Sequence, residues 1–550
     1  MTVPSTREPA DLLVHSARIW SGERLLDETA LAADGGRIVA LGGPELLERF
    51  DASRVVDAAG GLLTPGFADA HVHAGIGGVE LTRCELSEAA DAEETLALVA
   101  AYAAEHPDAE WILGGGWHMP HFAGGTPRRE LLDAIVPDRP VFLINADHHG
   151  AWANTRALEL AGITASTPDP ADGRIERDAD GSPSGTLHEG AAELLAPVLP
   201  ETTPEEVRAG ILAGQDRLFS FGVIGWQEAI LGSYAGYPDF TPEYRALLDS
   251  GELRGRASGA LWVSRDFDGR DIPGFVADLE ARRERYAAPG FPLDTAKIMV
   301  DGVAESETAA MQEPYLTECE CARGNGLAYF SPEQLDELVP LLNERGFSAH
   351  FHAIGDRAAR TALDAVERVP AESRAGVRNH IAHLQVVNPA DVPRFAQLGV
   401  TANLQALWAA VDQQMLELTL PLLGAERAAW QYPFGSFERA GTALGCGSDW
   451  PVSTPDPWQA IHVAVNRREP EDPLGEPLNP GEELPLGTIL RAYTLGSNEL
   501  LGLPGGRIEL GGVCDLALAD RDPFAGDPAE IHRTTNVLTA IAGEVVFERV

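Results

Sequence analysis

Eight short apolar runs, most of them separated by helix-length segments, constrain this chain more than any other feature. They are GFADAHVH from Gly66, GVIGWQEA from Gly222, RGRASGALWV from Arg254 and TAKIMVDG from Thr295. GFSAHFHAIG from Gly346, VRNHIAHLQV from Val377, GVTANLQAL from Gly399 and TALGCGSDWPV from Thr442 follow. Helix patterns such as PEQLDELVPLLNERG and RAARTALDAVERV fill several gaps. Eight strands alternating with helices predict an α/β fold, a (β/α)8 TIM-type barrel, whose usual ~250 residues fit within this section. The stretch from about residue 75 to 220 is too long for one crossover and reads as an inserted cap region rich in Trp, His and Gly. The first 65 residues alternate apolar runs with Gly turns and read as a small antiparallel sheet. The last stretch, 499–550, has the same texture. Strands of 1–65 and 499–550 are expected to pair into one β-sandwich, leaving 66–498 as the barrel with its insert.

Charge narrows the function. The 550 residues carry a formal net charge of −43, which excludes non-specific nucleic-acid binding driven by counterion release from a basic face. It argues equally against docking on anionic membranes. No run approaches the ~18 apolar residues of a transmembrane helix, and the start, MTVPSTREPADLLVHS, has no basic region followed by an apolar one. Five cysteines are too few and scattered for a disulfide framework, and Cys319 and Cys321 read as free thiols. The expectation is a cytoplasmic protein acting on a small molecule, with a homodimer left open.

The 41 basic residues include a single lysine, Lys297, in the fourth strand run. Arginine bias accounts for the other basic residues but not for why one lysine remains; a desolvated lysine can act as a free amine where arginine cannot. Histidines gather at the ends of the same runs: His71 and His73 in the first, His350 and His352 in the fifth, His380 and His383 in the sixth. Asp449 ends the eighth. Residues two apart on a strand share a face, so His71 with His73 and His350 with His352 can each converge; His380 and His383, three apart, point to opposite faces of a regular strand. Barrel enzymes assemble their sites at these C-terminal strand ends. Imidazoles and carboxylates meeting at one point suit Zn²⁺ or a similar ion, and two such ions roughly 3.5–4 Å apart can share a hydroxide and polarise a carbonyl.

The run LLTPGFADAHVH resembles the first-strand signature of the amidohydrolase superfamily. More narrowly, AKIMVDG, HFHAIGDRA, HIAHLQ, LGCGSDWPV, DHHGAWANTRALELAGI, GSPSGTLHEGA and GGRIELGGVCDLALAD are similar to the amidohydrolase 3 family, which includes N-substituted formamide deformylase-like enzymes. The resemblance spans nearly the whole chain and is specific for family, not for substrate. Carried over position by position, the resemblance implies His71 and His73 on the more buried metal and His352 and His383 on the other, with Lys297 as a carbamate bridging two Zn²⁺ and Asp449 completing the site. His350 and His380 fall outside the ligand positions and are expected to support them. Two positions depart from the family pattern: Ala382 stands where Glu commonly precedes the sixth-strand histidine, and Val513-Cys514-Asp515 stands for Lys-Ala-Asp.

The implied reaction is hydrolysis of a small-molecule C–N bond, amide-type, N-formyl or N-acyl, by a metal-bridging hydroxide, with Asp449 passing a proton to the leaving nitrogen. Lactone, carbamate or deaminase chemistry at the same centre, and a barrel that binds without turnover, are the alternatives. Trp117, His118, His149, Trp408 and Trp450 are candidates to line the substrate pocket.

Overall fold

The computed structural model describes residues 7–549 apart from 171, 235, 266, 268 and 317–323; Cys319 and Cys321 lie outside the described residues. Eight parallel strands form one sheet in chain order: β1 (Phe67–Val72), β2 (Val223–Leu231), β3 (Arg256–Val263), β4 (Thr295–Met299), β5 (Ser348–Ala353), β6 (His380–His383), β7 (Thr401–Leu404) and β8 (Leu444–Cys446). Each coincides with one of the apolar runs, whose residues are buried on both faces as parallel strands require. Helices such as Pro332–Glu344 and Asp356–Arg368 cover the outside, the first opened by a Ser331–Gln334 capping box.

The sheet curls until β8 meets β1. The seam is closed beyond the strand ends, where Asp449 N–H donates to the His71 carbonyl at 2.8 Å and His73 N–H donates to the Trp450 carbonyl at 2.8 Å. The helix Ala74–Glu80, leaving β1, lies so close to Pro204–Ser220 that a Cβ on Gly78 would sit 1.8 Å from the Gly210 carbonyl oxygen. Only glycine allows that approach, and it fixes where the chain turns just after His73.

The insert builds a six-stranded sheet of its own, ordered Gly173–Arg177, Pro183–Glu189, Gly150–Ala153, Val141–Asn145, Ile112–Trp117 and Cys84–Glu85. Its antiparallel pair Val141–Asn145 and Gly150–Ala153 holds Leu143 opposite Trp152, which leaves residues 146–149 as the hairpin tip.

The terminal segments form two sheets. One orders Arg37–Gly42, Ala30–Asp34, Glu8–His15 and Phe50–Asp57; the other orders Arg18–Ile19, Leu62–Pro65, Leu516–Ala519, Asn536–Ile541 and Glu544–Glu548. Leu12, Leu31, Leu63, Leu516 and Leu538 share one apolar core between them. The first sheet is mixed rather than antiparallel, because the chain makes the 30–42 hairpin on one side of Glu8–His15 and returns on the other, parallel to it. Asp515 accepts from Arg256 on β3 at 2.6 and 2.8 Å, so this sandwich is bolted to the barrel by a two-pronged ion pair. Among the described residues no helix is long and apolar enough to cross a membrane.

Candidate metal centre

The C-terminal strand ends bring His71, His73, Lys297, His352, His383 and Asp449 around one cavity. Asp449 Oδ1 lies 3.2 Å from His71 Nε2 and 3.3 Å from His73 Nε2, and its Oδ2 lies 3.8 Å from His383 Nδ1. Lys297 is 1% exposed, with Nζ 3.4 Å from His71 Nε2. The ring of His352 sits 4.4 Å from that of His383, centroid to centroid.

Local structure places each group. Asp69, two residues before His71, accepts from the backbone of His71 at 3.1 Å and from the Ser448 hydroxyl at 2.6 Å, tying β1 to the segment that carries Asp449. His350 Nε2 meets His71 Nδ1 at 2.9 Å, which orients the His71 ring with Nε2 toward the cavity. Asp301, just past β4, stands 3.2 Å from His352 Nδ1 and is itself held by the backbone N–H groups of Ile354, Gly355 and Ala310. Such partners fix which nitrogen a histidine offers to a metal.

The sixth strand is irregular where it matters. His383 has φ 78° and Leu384 φ 53°, left-handed values uncommon for residues with a Cβ. This turn departs from the alternation of a regular strand: His383 packs against His71 and His352, while His380 also faces inward and packs 4.0 Å from His350.

Burial pushes the imidazoles down, His71 to about 3 and His352 and His383 well below their usual value. Burial likewise pushes Lys297 down to about 7. Burial opposes the charge on Asp449, but His71, with His73 and His383, outweighs it and holds the carboxyl well below the usual range. Neutral imidazoles beside an ionised carboxylate are the protonation states that bind divalent metals. Both ring nitrogens of His383 and Oδ1 of Asp449 are buried with no hydrogen-bond partner, a cost of ~1–3 kcal/mol for each group left unsatisfied. The donor atoms of His71, His73 and Asp449 lie within 4.8 Å of one another. This donor set fits a divalent cation.

A larger cavity of about 410 Å³ adjoins the centre and shares Asp147, His149, His352 and Asp449 with it. His118, His149 and Trp408 line it. His118 Nε2 is 2.9 Å from the Ser87 carbonyl, and Trp408 stacks on His383 at 5.3 Å. His149, at the hairpin tip, holds Nδ1 2.9 Å from Glu189, a buried carboxylate also bound by Thr308 and Arg265. Two candidates do not line it. Trp117 is packed in the core of the insert against Phe122 and Trp152 and donates to the Leu143 carbonyl at 3.0 Å. Trp450 is buried in the barrel core, against the helix that follows β1. Its proximity to Asp449 in sequence puts its backbone, not its ring, at the barrel seam.

The sequence pattern of the amidohydrolase family matches residues 54–547. The chain is 30% identical over 474 residues to Protein LONG AFTER FAR-RED 3 of Arabidopsis thaliana, covering 84% of this chain and 79% of that one. It is 27% identical over 569 residues to N-substituted formamide deformylase of Arthrobacter pascens, covering 98% of each. A solved metal-dependent hydrolase from Pyrococcus furiosus is 25% identical, with a TM-score of 0.67 over 93% of this chain and 99% of that one. By the extent of these matches, the chain belongs to the amidohydrolase family.

Proposed function

We propose that this protein is a metal-dependent hydrolase of amide-type C–N bonds in small molecules, with N-formyl or N-acyl amines as substrates. The observation that carries the reading is the convergence of His71, His73, His383 and Asp449, with unpartnered buried atoms on His73, His383 and Asp449, beside the chain's single lysine. His71 and His73 would hold one Zn²⁺ and His352 and His383 a second, with Lys297, as its carbamate, the group available to both. Forming that carbamate joins the neutral amine to carbon dioxide with loss of one proton, and burial of Lys297 favours the neutral amine. When bound here, divalent ions polarise a carbonyl and lower the pKa of water toward ~7.

The remaining work belongs to side chains. Asp449, in reach of both His71 and His73, takes a proton from the attacking water and hands it to the leaving nitrogen, which departs poorly as an anion. Asp301 and His350 keep the rings of His352 and His71 turned to the cavity. His149, braced by Glu189, would hold the polar end of the scissile amide.

A one-ion centre is the second reading, favoured by the compactness of His71, His73 and Asp449, whose donor atoms lie within 4.8 Å of one another; it would suit deamination. Metal content by mass spectrometry on chelator-free protein, with Lys297→Ala alongside, decides between them. About two ions per chain, falling to one or fewer in the variant, is the expected result. One ion in both proteins overturns the bridged centre.

A further inference from the structure

The cavity beside the metal centre has a one-sided charge. Besides Asp449, it is lined by Asp147, Glu305, Asp412, Glu469 and Glu471, with no arginine or lysine among its lining residues. Its basic side chains are imidazoles, those of His118, His149 and His352. Elsewhere arginines neutralise carboxylates efficiently: Arg394 alone pairs with Asp364, Glu367 and Asp391. None of the five cavity carboxylates has an ion-pair partner among the described residues. Asp412 accepts from the Met415 backbone at 2.6 Å and Glu305 from the Thr419 hydroxyl at 2.5 Å, hydrogen bonds that orient these groups without cancelling their charge.

A second observation points to a ligand. Tyr432 is 3% exposed and lines the same cavity; its hydroxyl has no hydrogen-bond partner among the described residues and is open to the cavity, not sealed in the core. Buried phenols ordinarily find one. The indole of Trp408 lines the cavity as well, and aromatic faces attract organic cations. Scale separates an organic cation from a second metal ion: the carboxylates are spread around about 410 Å³. Among the described residues, only His71, His73 and Asp449 gather as a metal-sized cluster.

We infer that this cavity receives an organic cation, the protonated amino group of a substrate whose amide end lies at the metal centre. The inference rests on the proposed function for the amide end only. Burial, reinforced by Asp412, Glu471 and Asp472, pushes Glu469 up to about 7, a strain that a bound ammonium group relieves.

The test is calorimetric titration of the zinc-loaded full chain at low salt with phenethylammonium and, separately, its neutral analogue 2-phenylethanol. The expected result is at least tenfold tighter binding of the cation, with the preference lost in the double variant Asp412→Asn/Glu469→Gln. Asparagine keeps an acceptor for the Met415 N–H, and glutamine keeps the shape of glutamate. Equal affinities, or no binding of either compound, in the wild-type protein overturn the inference without any variant. Turnover of N-(4-aminobutyl)formamide against N-pentylformamide tests the underlying reading separately. Cleavage of both with equal kcat/KM keeps the hydrolase and removes the cation site. Cation-selective binding without cleavage of either keeps the site and removes formamide hydrolysis.

Discussion

Two sets of histidines occupy the barrel interior, and their rings differ in what they face. His71, His73, His352 and His383 line the cavity, whereas His350 and His380 are buried behind them, His350 against the back of the His71 ring. Residue type and strand membership are shared between the sets. Depth along the strand and the backbone turn at its end divide them, so the same side chain faces the cavity in one place and braces a neighbouring ring in the other.

Asp449→Asn breaks the cavity-facing set most severely. It is expected to lower kcat by about 10³-fold in steady-state assays while the protein retains bound metal; activity within tenfold of wild type would remove Asp449 from proton transfer. His350→Ala acts on the braces. It should weaken metal affinity by about 10–100-fold, read by competition with a chelator, and unchanged affinity would mean that the His350–His71 contact is packing alone. Two tryptophans extend the comparison to the pocket. Trp408→Ala should raise KM on the order of tenfold through lost apolar contact, with kcat moved less. Trp117→Phe, within the insert's core, should leave KM within about twofold; a larger rise would return Trp117 to the substrate path.

The barrel was legible in the sequence because parallel strands buried on both faces are short, apolar and bounded by turns. His71 with His73 was legible too, since parity along an extended strand is a local property. Parity failed at His383, whose left-handed backbone leaves no mark in residue spacing. The supporting carboxylates were missed for another reason. Glu189 meets His149 and Asp301 meets His352 across 40 and 51 positions of chain, and no periodicity encodes such partners. Sequence neighbours make Trp117 and Trp450 look like pocket residues, but a large apolar ring next to a polar site is as readily drawn into the nearest core. The run DHHG did carry a readable signal, since polar residues at a hairpin tip between two buried strands have few places to go but the cavity.

The seam between β1 and β8 joins two events, closure of the barrel and assembly of the cavity. Its hydrogen bonds, from Asp449 to His71 and from His73 to Trp450, engage the backbones of three groups that face the cavity, Asp449, His71 and His73. A molecule whose barrel has not yet closed therefore has no assembled centre with which to attack a bond. Completion of the fold and the onset of reactivity become a single step, so half-folded chains are chemically silent.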